Sequence, residues 1–213
     1  MMAIARVFLG AWLLACAASA AAGGLESLEA FIKAVKTGRA EFTQVVTLPP
    51  REGQAARSRT SSGTFEFSRP NRFRFVYRKP FEQSIVADGQ TLWLYDVDLK
   101  QASARKQSLV LGSTPAALIA SAADLHALQA EFALSDRPDK DGLEWVTAVP
   151  IGKDKQLQSI SIGLHGGALV ALEILDSFGQ KSTLRFTAFA ANVPIDASHF
   201  QFEPPAGVDL IRQ

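Results

Sequence analysis

The sequence predicts a mainly β fold of the α+β class. It reads as one antiparallel sheet or barrel of about eleven strands, with an amphipathic helix in front and a second helix breaking the strand run. Three observations carry this. Apolar residues change from helical spacing to period two near residue 40 and keep that period almost to the end. Turn residues bound most of the runs at short intervals, as at Arg69-Pro70-Asn71, Asp88-Gly89, Asp141-Gly142, Gly166-Gly167 and Phe178-Gly179. Strands do not alternate with helices and nothing repeats at fixed length, so doubly wound and repeat architectures are set aside.

Residues 1–22 have the grammar of a secretory signal peptide. Arg6 precedes the apolar run Val7–Ala15, which is too short to span a bilayer, and small residues with an Ala18-Ser19-Ala20 cleavage motif follow. Cys16 follows Leu13-Leu14-Ala15 and loosely resembles a lipoprotein acylation site, but bulky Leu14 fits that pattern poorly. Plain secretion is the expectation, leaving one domain over residues 23–213. Next, Leu25, Leu28, Phe31, Ile32 and Val35 recur at helical spacing and Gly38 stops them, which predicts a helix over about 25–37.

Strands are expected near 40–47, 63–69, 72–78, 83–87, 91–97 and 101–106, then 130–135, 143–149, 157–164, 168–175 and 182–189. The polar stretch 51–62 reads as a mobile hairpin loop. Ser113-Thr114-Pro115 can cap a helix, and Ala116 to Ala122 would continue it as an almost wholly apolar segment containing Leu118 and Ile119. After Pro204-Pro205 a short tail is expected. Strand parity places Phe73, Phe75 and Tyr77 on one face and Arg72, Arg74 and Arg78 on the other. Phe65 and Phe67 share a parity with Arg69, which aims an arginine toward the apolar side. Leu92-Trp93-Leu94-Tyr95 and Leu169–Leu172 are apolar on both parities, as strands covered on both faces would be.

Composition excludes several classes of function. The chain has 213 residues, 47% hydrophobic and 20% charged, a globular balance. With 22 basic and 21 acidic residues it offers no charge excess for nucleic acid, and removing Arg6 with the signal leaves 21 of each. One cysteine rules out a disulfide framework. Ser103-Ala104-Arg105-Lys106 has S-x-x-K spacing, but in an expected strand it puts Ser and Lys on opposite faces. Asp139 and Asp141-Gly142 lack the first and last ligands of a calcium loop. His126, His165 and His199 show no metal-ligand spacing. No catalytic residue, metal or cofactor is expected, and the protein is not expected to be an enzyme.

In order along the chain stand Glu41-Phe42-Thr43-Gln44, Gly63-Thr64-Phe65-Glu66-Phe67-Ser68-Arg69-Pro70-Asn71-Arg72-Phe73, Asp88-Gly89-Gln90-Thr91-Leu92-Trp93-Leu94-Tyr95-Asp96, Thr114-Pro115 and Phe200-Gln201-Phe202-Glu203-Pro204-Pro205-Ala206-Gly207-Val208-Asp209. Together, behind a signal peptide, they resemble the LolA family of periplasmic outer-membrane lipoprotein carriers over nearly all of residues 25–213. Phe75 stands where many relatives have Trp, and the hairpin over 48–62 is longer and more basic.

The resemblance implies an unclosed antiparallel half-barrel with helices covering its mouth, and an apolar cavity for the acyl chains of lipoproteins. On strand parity, Phe65, Phe67, Phe73, Phe75 and Trp93, with Leu118 and Ile119 of the lid, are the expected cavity residues. Arg69 matches the family arginine that holds the lid shut, and Phe73 an aromatic residue near the mouth. The implied partners are acylated outer-membrane lipoproteins, an inner-membrane ABC transporter that loads the carrier and an outer-membrane receptor that unloads it. The implied compartment is the periplasm, and a monomer is expected. The alternatives are a receptor of the same fold acylated at Cys16 and, less favoured, a secreted hydrolase.

Overall fold

A computed structural model describes residues 23–50, 55–110, 118–120, 122–152 and 156–212. The expected signal peptide with Cys16, the start of the basic loop, and the lid segment with Thr114-Pro115 lie outside the described residues.

Helix α1, Gly24–Ala34, buries Leu28, Phe31 and Ile32 along one stripe. Its first turn is held by the sheet, the Leu25 N–H donating to Asp136 Oδ1 at 2.8 Å. It ends at Ala34 rather than near 37, because Val35 is already extended and Thr37 opens the first strand.

Every expected run is a strand: β1 Thr37–Leu48, β2 Arg57–Ser68, β3 Arg72–Lys79, β4 Gln83–Asp88, β5 Thr91–Asp96, β6 Gln101–Lys106, β7 Phe132–Lys140, β8 Leu143–Pro150, β9 Leu157–His165, β10 Ala168–Asp176 and β11 Lys181–Ala191. A twelfth, β12 Asp209–Arg212, lies where only a tail was expected and pairs in parallel with β6. One short helix, α2 Gln107–Val110, follows β6, and another, α3 Leu125–Glu131, precedes β7 with Asp124 accepting from the Ala127 N–H at 2.8 Å. Residues 118–120 are helical. The reading of 51–62 as a loop is corrected from Arg57 onward: those polar residues extend β2, pairing residue by residue with β1 up to Leu48. The ladder satisfies their backbone while their side chains face solvent, so polarity does not oppose the strand.

The strands form one sheet in the order β12-β6-β5-β4-β3-β2-β1-β11-β10-β9-β8-β7, with β12 and β7 as its two unjoined edges. The sheet is unclosed, and the fold is mostly β as the sequence predicts. Its inner face carries the main core, to which α1, Leu118, Ile119 and Leu128 of α3 contribute. Its outer face is covered near β3–β5 by residues 197–203, where Ala197–Phe200 form a 3-10 turn and Phe202 lies 5.4 Å from the rings of both Trp93 and Tyr95. A smaller outer cluster of Leu143, Trp145 and Ala171 covers β8–β10. In β10 a bulge at Val170 lets Leu169 and Leu172 both join the inner core, which explains a run apolar on both parities.

Gly63 sits opposite Phe42, next to a register shift between β2 and β3. A Cβ there would lie 1.9 Å from the Val76 carbonyl oxygen. The missing side chain lets the β3 backbone at Val76 and Tyr77 approach closely at this shift.

Candidate functional site

The inner face is built around aromatic rings from the neighbouring strands β2 and β3 and from β11, one strand beyond β1. Phe65 of β2 stacks on Phe75 of β3 at 4.4 Å, with Phe67 at 5.6 Å on its other side and Phe186 of β11 at 5.6 Å. Phe73 meets Phe75 edge-on at 6.4 Å. Register explains the grouping: Phe65 pairs with Phe75, and Phe67 with Phe73, so alternation brings all four to one face. Leu118 and Ile119 belong to the same buried cluster. The structure therefore brings together six of the seven residues singled out as apolar lining.

Trp93 is the correction. It pairs with Val86 and Ala104, on the opposite parity to Phe65, and its indole faces the outer side against Phe202. Leu92 takes the inner place. Either parity of an apolar strand could have faced inward, and the tail that covers the outer side decides it. Phe73, just after the β2–β3 turn, is fully buried: Phe67 and Ala87 flank it in register, and Leu118 and Ile119 join the same core.

Toward the far rim the inner face opens. A cavity of about 460 Å³ is bounded there by Gln44, Val46, Arg59, Tyr77, Phe81 and Leu99. Tyr77 closes its inner end, its hydroxyl donating to Gln44 Oε1 at 2.9 Å, and burial pushes the phenol up to about 12.

Arg69 follows β2 at the other rim. Its guanidinium lies between Phe31 of α1 and Phe67, 5.5 and 5.3 Å from their centroids. Nε donates to the Val35 carbonyl at 2.9 Å, and Nη1 donates to the carbonyls of Ile119 and, at 2.9 Å, Ala122. One side chain thus joins the end of α1, the β2–β3 turn, Ile119 and Ala122. Burial pulls its pKa down to about 10, which still leaves it a cation at neutral pH. Nη2 is buried with no acceptor among the described residues.

Two residues not singled out from the sequence strengthen this rim. Asn71, in the left-handed region at φ 67°, donates its N–H to the Ala120 carbonyl at 3.1 Å. Gln107 is buried at the start of α2; its Nε2 donates to the Asn71 carbonyl at 2.7 Å and its Oε1 accepts from the Gly89 N–H at 3.0 Å. Asn71 is legible as a turn residue. Nothing in a glutamine at a strand end announces its bridge.

On the outer face a second polar joint forms. Glu66 accepts from Arg39 Nε at 2.6 Å and meets His199 Nδ1 at 3.0 Å. Burial alone would raise the Glu66 carboxyl, but the bonds to His199 and Arg39 outweigh it and hold the pKa below the usual carboxylate range. His199 therefore ties the tail to the sheet. His165 bonds the Gly142 carbonyl oxygen across a turn at 3.0 Å, and no metal-holding cluster of His, Cys, Asp or Glu occurs among the described residues.

Residues 33–203 match the family described as outer membrane lipoprotein carrier protein LolA. The chain is similar to an outer-membrane lipoprotein carrier protein of Albidiferax ferrireducens, 66% identical over 93% of this chain and 95% of that one. It is similar also to one of Methylibium petroleiphilum, 49% identical over 98% of each chain. Among solved structures, a conserved protein from Thermus thermophilus shares the fold with a TM-score of 0.54 at 12% identity, over 88% of this chain and 98% of that one. The chain belongs to the LolA family of outer-membrane lipoprotein carrier proteins.

Proposed function

We propose that this protein is a periplasmic carrier that holds the acyl chains of outer-membrane lipoproteins against its inner face. It takes them from an inner-membrane ABC transporter, hands them to an outer-membrane receptor, and acts as a monomer without catalysis. The observation that carries the reading is the contact set of Arg69. A buried cation binds the carbonyls of Val35, Ile119 and Ala122, and so fastens lid residues over a face of phenylalanines.

The physical need for such a latch follows from the cargo. Moving an acyl chain out of an apolar phase costs about 0.8 kcal/mol per CH₂. Several chains would bind an open apolar face too tightly for transfer. A lid with favourable contacts of its own competes with the cargo and weakens net retention. Leu118 and Ile119 cover Phe65, Phe67, Phe73 and Phe75 in the empty state, and acyl chains would take their place. Arginine suits the latch because its donors point in several directions and can bond carbonyls without a carboxylate partner.

The test uses the purified protein and a triacylated lipoprotein. A soluble one-to-one complex is expected, with displacement of a hydrophobic fluorophore from the empty protein. A lipoprotein stripped of its acyl chains should not compete. Equal binding of the stripped form, or no complex, contradicts the reading.

A further inference from the structure

The arginines of β3 are not used by the lid or by the inner face. Arg72, Arg74 and Arg78 alternate along the outer face, with Val76 between them. Arg72 is engaged: it donates to Ser68 Oγ at 3.4 Å, and its guanidinium lies 5.8 Å from the Phe200 ring. Arg74 is half-buried, and its Nε is shielded from water with no acceptor among the described residues. A buried donor on a cation is costly to leave unmet. The carboxylate opposite it in register, Glu66, is already taken by Arg39 and His199. Asp88, opposite Arg72, accepts instead from the N–H groups of Gln90 and Thr91, both at 2.7 Å.

A groove of about 470 Å³ adjoins Arg74. It runs between β3–β5 and the tail, with Tyr95, Phe202 and Val86 as its apolar wall and Ser84 and Gln201 supplying polar groups. Arg78 stands exposed at its end, and Glu82 is the one carboxylate among its lining residues. The groove lies on the outer face, across the sheet from Phe65 and Phe75, and only Tyr77 and Gln83 border both it and the inner cavity.

We infer that this outer groove docks an acidic segment of a partner polypeptide, with a carboxylate on Arg74 and an apolar side chain against Tyr95 and Phe202. Arg74 and exposed Arg78 place cations beside the rings of Tyr95 and Phe202, which suits a carboxylate next to an aromatic or aliphatic residue. The match is local: a chain with net charge +1 has no general attraction for acidic partners. The site is independent of the cargo reading and would stand if that reading fell.

The probe is a fluorescein-labelled twelve-residue peptide of alternating Asp/Glu and Phe/Leu, titrated by anisotropy into the full chain without its first 22 residues. An Asn/Gln counterpart and phosphatidylglycerol vesicles run alongside. Saturable binding of the acidic peptide is expected, falling as salt rises and absent for the neutral peptide. Arg74→Gln should weaken it by about tenfold or more. Arg78→Gln, at an exposed position that leaves the fold intact, should weaken it by roughly twofold to fivefold. Neither change should alter displacement of the hydrophobic fluorophore by lipoprotein. Lack of saturable peptide binding, equal affinity for the neutral peptide, unchanged affinity in both variants, or binding to vesicles alone would each overturn the inference.

Discussion

Two polar joints leave β2 within four residues of each other and on opposite faces. On the outer face, Glu66 joins the tail to the sheet through Arg39 and His199, using both carboxylate oxygens. On the inner face, Arg69 joins the lid to α1 through three neutral carbonyls and leaves Nη2 without an acceptor among the described residues. The first joint pairs charge with charge and meets both carboxylate oxygens. In the second a cation meets only dipoles, between two rings that also belong to the apolar face. On the proposed reading, the comparison separates a permanent fastening from a releasable one. A lid that must lift is better held by contacts that are each modest and easily remade than by a buried ion pair, whose separation leaves an uncompensated charge.

The largest expected effect breaks the surface on which the inner joint rests. Phe73→Glu places a carboxylate among Phe67, Phe75 and Ala87, where no partner waits. A loss of about 3–5 kcal/mol is expected, read by chemical unfolding, with cargo binding lost as well. Full stability in this variant would mean that the phenylalanine face is not tightly closed.

Glu66→Gln sharpens the outer side of the comparison. It should cost about 2 kcal/mol at neutral pH, less than for a fully buried pair because Arg39 is about half exposed. Its pH dependence is distinctive. The folded carboxyl titrates below its ordinary value of 4.5, so the unfolded chain binds the proton first as acid is added. Stability from this group is complete above about pH 4.5 and is lost as pH falls through the lower, folded value. Unfolding curves from pH 3 to 7 should therefore be flatter at the acid end in Glu66→Gln than in the parent, while lid release stays unchanged. An identical acid limb in both proteins would remove Glu66 from the account.

Gln107→Ala is a smaller perturbation of the lid rim. It unpairs the Gly89 N–H and the Asn71 carbonyl, which position the turn carrying Asn71 toward Ala120. A loss of about 1–2 kcal/mol is expected, with lipoprotein retention moderately raised. Unchanged retention together with the stability loss would make Gln107 a strut of the sheet alone.

The two joints were not equally legible. Arg69 stands out because its parity aims a charge at an apolar face, and family resemblance adds a role. The Glu66 joint depends on His199, 133 positions away in sequence, and no local pattern couples them. The same contrast runs through the fold. Eleven strands are readable because each is an alternating or continuous apolar run, most of them between turn signals. β12 escapes because four residues, Asp-Leu-Ile-Arg, after a proline pair carry too little period to register. Helix α3 has only two leucines on its stripe, although Asp124 before it was an available cap. Trp93 was assigned to the wrong face because its neighbours are apolar on both parities. Only the position of Phe202 distinguishes them.

The central claim is that Arg69 holds a releasable lid, and Arg69→Leu tests it most directly. Leucine removes every donor and keeps apolar bulk. The closed, empty state would lose about 1–3 kcal/mol of charged hydrogen bonds. Because cargo competes with closure, that loss appears as tighter retention, about tenfold for each 1.4 kcal/mol. The measurement is a two-step transfer assay with an inner-membrane loading system and an outer-membrane receptor, scoring loaded carrier and delivered lipoprotein separately. The account predicts normal loading and strongly reduced delivery. If loading and delivery fall in proportion, or if neither changes, Arg69 does not act as a latch.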